Sequence, residues 1–368
     1  MKNRVILAVT NDLSGDQRVH KVAMSLIKFG YQPTLVGRVL PGSIPVQRPY
    51  GIRRFRLLFH KGPLFYCAYN IRLFFYLLFV RADIFLANDL DTLSAAYLAG
   101  RLRKKKIVYD SHEYFTEVPE LVTRKGVKKV WLFIEKAIFP ELKNVYTVND
   151  SIAEIYKNKY GVPVNVVRNV PSAQLPAPVA GQLPVGFTDS KVILYQGALN
   201  VGRGLEEMIR ALPMIPDCHF LLVGDGDIRP ELEALVKEMN LDKRVCFTGR
   251  LPFDQVSWYT MQATIGISLE QDMGLSYHYA LPNKLFNYLQ LGLPVIASDL
   301  PEIRQIVERV GFGLIIDRFD PEYLSEQIRS ILNDPELLRN WHDRALAVAP
   351  DYTWEAEEKV LLSIFPEL

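Results

Sequence analysis

The stretch PSAQLPAPVAGQLP, residues Pro171–Pro184, decides how the rest of the chain divides. It holds four prolines and no charge, and proline can sit in neither a helix interior nor a central strand. The segment therefore reads as a linker. On its N-terminal side, apolar strand-like runs alternate with helically spaced ones: Val5–Val9, Pro33–Val36, Arg54–Leu58, Ile84–Ala87, Ile107–Tyr109, Val145–Val148 and Asn165–Val167. Beyond it the same rhythm restarts with Val192–Tyr195, Phe220–Val223, Val245–Thr248, Thr264–Ser268, Val295–Ala297 and Leu314–Ile316. Helical patterns lie between these strands, notably Leu205–Leu212 and Lys284–Leu291, the latter closed by Gly292 and Pro294. Strand–helix alternation implies parallel sheets flanked by helices, and 368 residues are long for one core. The expected architecture is α/β, with two doubly wound Rossmann-like domains. These span 1–170 and 191–349, joined by a linker at 171–190 and followed by a helical segment at 350–368.

A formal charge of +2 is too small to imply a polyanionic partner, so no nucleic acid is expected. Cys67, Cys218 and Cys246 are widely spaced within apolar patterns. They read as buried small hydrophobes in a reducing compartment, not as a disulfide frame or a metal site. A strand pattern begins at Val5, so no secretory signal is expected and a cytoplasmic location follows. The most membrane-like segment is Leu64–Val80, but Asn70 and Arg72 interrupt it, and a span needs about 20 predominantly apolar residues. A core helix with one sealed face is the first reading, and a membrane-surface helix the second.

Ligands of open parallel sheets bind at the carboxyl ends of strands, so the residues after each strand matter most. The loop after the first strand, Thr10–Arg18, is small and polar and opens a helix. Backbone N–H groups around Gly15 suit a phosphate there, although a solvated loop explains the segment equally well. Asp89 and Asp91 follow the fourth strand, and Asp110-Ser111-His112-Glu113 follows the fifth. His112 suits a substrate hydroxyl or a proton transfer, or equally a helix cap or core hydrogen bond. In the second half, Gly197–Gly204 carries glycines for close backbone approach and Arg203 for phosphate oxygens. Asn283 and Lys284 begin a helix whose N–H groups suit a diphosphate, and Asn287 lies one turn further on. An ordinary capped helix is the competing reading.

Taken in order, Asp16-Gln17-Arg18-Val19, Asp110-Ser111-His112-Glu113, Gly197–Gly204, Val223-Gly224-Asp225-Gly226, Phe247-Thr248-Gly249 and Pro282–Val295 resemble the family 4 retaining glycosyltransferases of the GT-B fold. The resemblance runs over nearly the whole chain. It implies two Rossmann-like domains facing a central cleft, with a nucleotide-diphosphate sugar as donor, an acceptor hydroxyl, and no metal or other cofactor. It also implies that Arg203 and the Lys284 helix hold the donor diphosphate and that Gly249, Arg250 and Leu251 lie against the nucleobase. His112 then stands near the transferred sugar, and the helix with Trp354, Glu357 and Glu358 crosses back to the first domain. The chain departs from the pattern in three places. Asn287 replaces the second of two family glutamates, and as an amide it still suits a ribose hydroxyl. Tyr279 falls on the first glutamate position, leaving Glu270 or Asp272 to place the sugar. Ala198 stands where the phosphate loop usually has its first arginine.

The expected acceptor is a saccharide or lipid-linked molecule, as in bacterial cell-surface polysaccharide or glycolipid synthesis, with Asp89, Asp91 and Glu113 on its side. Basic residues at 101–106 and 124–133 lie beside aliphatic and aromatic ones. A solvated helix face is the plainer reading, and peripheral contact with the inner face of a membrane the other. A dehydrogenase is poorly supported, because Val36-Gly37-Arg38 offers no acidic residue at the end of the second strand. A non-catalytic nucleotide-sugar-binding protein of the same fold, or a nucleotide-sugar epimerase, stays open.

Overall fold

Runs such as Arg4–Ala8 and Lys191–Gln196 are buried nearly end to end, which requires helices on both faces of a parallel sheet. The computed structural model describes residues 3–122, 124–188 and 190–365. Two compact units result, Met1–Asn169 with Glu357–Leu368, and Val170–Ala356.

The first unit contains β1 (Arg4–Ala8), β2 (Gln32–Arg38), β3 (Gly51–Phe55), β4 (Ile84–Asn88), β5 (Lys106–Ser111), β6 (Val145–Thr147) and β7 (Asn165–Val166). They pair in the order β3-β2-β1-β4-β5-β6-β7, all parallel. Chain direction across the sheet reverses between β1 and β4, the place where such sheets bind ligands. Its helices are α1 (Gln17–Lys28), α2 (Gly62–Phe79), α3 (Leu90–Arg103), the short α4 (Pro119–Val122), α5 (Lys125–Ile138) and α6 (Asp150–Tyr160).

The second unit contains β8 (Lys191–Gln196), β9 (Cys218–Val223), β10 (Val245–Gly249), β11 (Ile265–Ser268), β12 (Val295–Ser298) and β13 (Gly313–Ile316). Their order is β10-β9-β8-β11-β12-β13, again parallel. The helices are α7 (Leu205–Ala211), α8 (Arg229–Glu238), α9 (Phe253–Met261), α10 (Leu275–His278), α11 (Asn283–Gln290), α12 (Pro301–Val310), α13 (Pro321–Leu332) and α14 (Pro335–Val348). Finally α15 (Trp354–Ile364) contributes its first residues to the second unit and the remainder to the first. Its Trp354 N–H donates to Pro171 O (2.7 Å). Glu358 accepts from Ser25 Oγ (2.7 Å) and Lys28 Nζ (2.6 Å) of α1, and Glu357 from the Arg168 N–H (2.8 Å). Of the helical segment expected at 350–368, residues 366–368 lie outside the described ones.

Several expectations are corrected. The third strand is Gly51–Phe55, not Arg54–Leu58. Register with β2 ends at Arg38↔Phe55, and Leu58 is left 92% exposed. Within the segment read as a linker at 171–190, two groups pack on the second unit. Phe187 is buried in the second unit's core, and the Gln182 N–H donates to Tyr259 Oη (3.3 Å). Proline there blocks regular structure without blocking packing. Of the three cysteines only Cys218 is buried, and Cys67 is exposed on α2. That helix buries one stripe, Phe65, Tyr69, Leu73 and Leu77, and no described helix is long and apolar enough to cross a membrane. In the basic run at 101–106, Arg103 Nη1 donates to the Leu77 and Val80 carbonyls, closing α2. Arg101 pairs with Glu141 and Lys105 with Asp83.

Candidate functional site

In the first unit, β4 and β5 end side by side and deliver Asp89, Asp91, Asp110 and His112 to one edge. Asp89 has φ 61° and ψ 166°, a region that costs a non-glycine residue roughly 1–3 kcal/mol. Its N–H donates to Asp110 O (2.8 Å), and its Oδ1 accepts from the His112 N–H (2.8 Å). The His112 ring lies between two carboxylates, with Nδ1 3.2 Å from Asp89 Oδ2 and Nε2 3.1 Å from Asp110 Oδ2. An ionised carboxylate only accepts, so Nε2 donates to Asp110, while Nδ1 faces Asp89 at ion-pair distance. Burial alone would lower the His112 pKa, but Asp89 and Asp110 outweigh it and lift it to about 9. In that state the ring is a fixed cation with no lone pair for a proton.

Asp110, fully buried, is gripped by Arg18 through Nε (3.1 Å) and Nη2 (2.8 Å). Burial would raise its carboxyl, but Arg18 and His112 hold it down at about 2. Arg18 was quoted in the motif Asp16-Gln17-Arg18-Val19 but given no role there. Its signal was a cation on the apolar stripe of α1, beside Val19, Val22 and Leu26. Asp91 accepts from Thr10 Oγ1 (2.6 Å). Burial, then the neighbouring Asp89 charge, raise it to about 7, where a carboxylate is suited to exchange a proton near neutrality. Glu113 stands exposed beside the group, its backbone carbonyl accepting from Ser111 Oγ (2.8 Å). Gly15 is open, with nothing within 4 Å of where a Cβ would stand. The start of α1 is capped by Asp16, whose carboxylate accepts from the Val19 N–H (3.0 Å).

In the second unit, the loops after β8 and β11 close on each other. The Gln271 N–H donates to Gly202 O (2.9 Å), and a Cβ on Gly204 would sit 2.5 Å from Leu269 Cβ. That closure brings together three of the predicted residues. Glu270, wholly buried, accepts from Lys284 Nζ (2.7 Å), Arg203 Nη1 (3.3 Å) and Ser268 Oγ (2.6 Å). Burial would raise its carboxyl, yet Lys284 and Arg203 more than offset that and lower it. Lys284 Nζ also lies 4.0 Å from the centre of the Tyr195 ring, and Arg203 4.9 Å from that of Tyr277. Two cations thus share one carboxylate, leaving a net positive charge at the strand ends. Asn283 is exposed at the start of α11 and Asn287 half-buried one turn on. Asp272 accepts from the His278 ring (2.8 Å) and is not part of the Glu270 group. Gly249 ends β10 with φ 72° and bridges Gly224, while Arg250 is exposed and Leu251 packs on the second core. Among the described residues no group of three or more His, Cys, Asp or Glu is arranged to hold a metal ion.

Residues 184–347 match the family of glycosyl transferases group 1, and residues 16–172 match glycosyltransferase family 4. The chain belongs to the family 4 glycosyltransferases of GT-B fold. Sucrose-phosphate synthase from Thermosynechococcus elongatus shares the fold of this glycosyltransferase-family chain, with a TM-score of 0.78 at 20% identity. That superposition covers 99% of this chain and 97% of the other. An alpha-D-kanosaminyltransferase of Streptomyces kanamyceticus is 26% identical over 189 residues, 50% of this chain and 47% of its own. The lipopolysaccharide core biosynthesis glycosyltransferase LpsD of Rhizobium meliloti is 28% identical over 188 residues, 51% and 52% respectively. The chain thus spans about half the length of these relatives.

Proposed function

We propose that this glycosyltransferase-family chain moves a sugar from a nucleoside-diphosphate sugar to an acceptor hydroxyl, with retention at the anomeric carbon. The observation that carries the reading is the pairing of Arg203 and Lys284 on one buried carboxylate, Glu270, at the strand ends of the second unit. Excess positive charge there, with the N-terminus of α11, suits the charge that develops on a departing diphosphate. Gly249, Arg250, Leu251 and Asn287 lie against the nucleoside, and Glu270 fixes the two cations. In the first unit, Asp89 and Asp91 face the acceptor, with Asp91 the carboxylate able to hold its proton near neutral pH. His112 serves as a fixed cation there. In this reading the anomeric carbon–oxygen bond breaks toward the diphosphate, which keeps the electron pair, while the acceptor oxygen bonds the anomeric carbon and gives up its proton. No metal ion is required in this scheme.

The similarity to a lipopolysaccharide core enzyme supports a bacterial cell-surface saccharide or lipid-linked acceptor. On the same ground, peripheral membrane contact at the cytoplasmic face through 101–106 and 124–133 belongs to this reading. Exposed Phe133 and Val130 among Lys129 and Lys136 on α5 support it. Asn287 and Ala198 favour a second reading, a binder without turnover. Thermal stabilisation by a panel of nucleoside diphosphates, in the presence of a chelator, separates these. One diphosphate is expected to raise the unfolding temperature of the wild type, and the rise to vanish in Arg203→Ala and Lys284→Ala. Stabilisation by none of the panel sinks the proposal. Stabilisation without donor turnover leaves the binder.

A further inference from the structure

We infer that the acceptor carries a phosphate or diphosphate group, held by Arg38, Arg48 and Arg54 at the β2–β3 end of the first unit's strand edge. The inference rests on the reading of this unit as the acceptor side. Arg38 is the last residue of β2, Arg54 the next-to-last of β3, and Arg48 lies in the connection between them. All three gather around the loop that follows β1. Arg48 Nη2 donates to Ser14 O (3.4 Å), and Arg54 Nη1 to Asp12 O (3.4 Å) and Ile44 O (3.0 Å). The Arg38 N–H donates to Asn11 O (2.9 Å), and its Nη1 to His60 O (2.8 Å).

These backbone carbonyls, and the Tyr50 hydroxyl beside Arg48, satisfy donors without neutralising a charge. The Arg38 guanidinium lies over the Phe65 ring at 3.9 Å, and its buried Nε has no hydrogen-bond partner. Stacking fixes the plane of the fork. Asp12, a carboxylate of that loop, is hydrogen-bonded locally. It accepts from the Ser14 N–H (3.1 Å), Ser14 Oγ (2.7 Å) and Ser43 Oγ (2.9 Å). Asp16 is likewise taken up by Asn11 Nδ2 (2.8 Å) and the cap of α1. Three guanidinium groups thus face Asp12 and Asp16, whose oxygens already accept from neighbouring neutral donors, and Asp91, whose charge also acts on Arg38.

Sheet order gives this patch its meaning. Along β3-β2-β1-β4-β5 the arginines occupy one end and Asp89, Asp91 and His112 the other. Two strand spacings, about 10 Å, separate β2 from β4, a distance that one or two sugar rings cover. A sugar whose hydroxyl meets the carboxylates therefore lays a substituent across β1 onto the arginines, and planar forks of donors recognise phosphate. A membrane-borne lipid phosphate and a soluble sugar phosphate share that chemistry.

The test is calorimetric titration of the full chain with inorganic pyrophosphate. Wild type is expected to show a site that weakens at least tenfold in Arg48→Gln/Arg54→Gln, persists in Arg203→Ala, and is partly restored by Arg48→Lys/Arg54→Lys. Both arginines are only half-buried, and an unchanged unfolding temperature certifies the fold of each variant. Arg38→Gln provides an independent second variant with the same expected loss. Glucose 6-phosphate binding that depends on the arginines points to a soluble acceptor. Arginine-dependent sedimentation with phosphatidylcholine vesicles carrying phosphatidic acid, but not with phosphatidylcholine alone, points to a lipid-borne one. Pyrophosphate affinity unchanged by all three losses overturns the inference. Nucleoside diphosphate binding reads the second unit separately. Its failure beside an intact arginine site sinks the transferase reading and leaves a phosphate site with no acceptor to assign it to, whereas the converse sinks only this inference.

Discussion

Replacing Lys284 by alanine removes the shortest charged partner of a carboxylate that has no exposure to water. Breaking a buried ion pair from one side costs roughly 3–5 kcal/mol, because the remaining charge stays desolvated. Glu270 keeps Ser268 Oγ at 2.6 Å and Arg203 at 3.3 Å, which places the expected cost at the low end, about 3 kcal/mol. For a unit of this size each kcal/mol lowers the unfolding temperature by about 2–4 °C, so the drop is about 6–12 °C. Scanning calorimetry is the suitable assay, since two units need not unfold in one transition. The pH dependence gives a second check. Glu270 is held below its ordinary value, so its contribution to wild-type stability is present above about pH 4.3 and is lost as pH falls through the folded value. In Lys284→Ala the carboxyl takes up a proton more readily, and the gap between variant and wild type narrows toward pH 4. Glu270→Leu/Lys284→Met, which removes both charges, is expected to recover most of the loss. A drop below about 2 °C at neutral pH, or one that does not narrow with acid, would falsify the view that this pair is a desolvated unit.

Two further outcomes follow from the same geometry. His112 is raised from about 6.5 in the unfolded chain to about 9 in the fold, so its stabilising share is complete below the first value and disappears as pH rises through the second. The first unit's unfolding temperature should therefore fall between neutral pH and about 9, and His112→Gln should flatten that fall. An unchanged slope in the variant would show that the ring is not held between the two carboxylates. Gly224 has φ 147°, and a Cβ there would lie 1.9 Å from the Gly197 backbone oxygen. That contact is with backbone and cannot relax by a side-chain movement, so Gly224→Ala should cost roughly 3 kcal/mol or more. Urea unfolding of the second unit reads this directly, and a loss under about 1 kcal/mol would mean that the β8 and β9 ends are free to part.

Strand and helix periodicity carried most of the fold, because a sheet covered on both faces writes its strands as continuous apolar runs. The third strand was misplaced for a reason that periodicity cannot see. Leu57, Leu58 and Phe59 look more strand-like than Gly51-Ile52-Arg53, yet hydrogen-bonding register with β2 selects the latter. At the sites, Arg203 and Lys284 were legible separately from their positions after a strand and at a helix start, whereas Glu270 came only from the family resemblance, as an alternative to Asp272. Their convergence depends on two loops closing through Gly202 and Gly204, a property of three-dimensional crowding and not of spacing. Arg18 was hidden differently. It lies ninety-two positions from Asp110, and only the pairing of sheet and helix makes them neighbours. The role of His112 changed for the same reason, since a lone histidine in sequence becomes a cation once two carboxylates flank it.

The split of α15 has a consequence for how the chain is made. Glu357 and Glu358 complete the first unit by binding Arg168, Ser25 and Lys28, yet they are translated only after the whole of Val170–Ala356. At about 5–20 residues per second the ribosome needs on the order of ten seconds or more to cross that interval. Throughout it, the α1 surface that α15 will cover stands open to solvent while the second unit, contiguous in sequence, is free to fold. The nascent protein thus begins its first unit early and finishes it last, and that surface is where a cellular chaperone would find the unfinished chain.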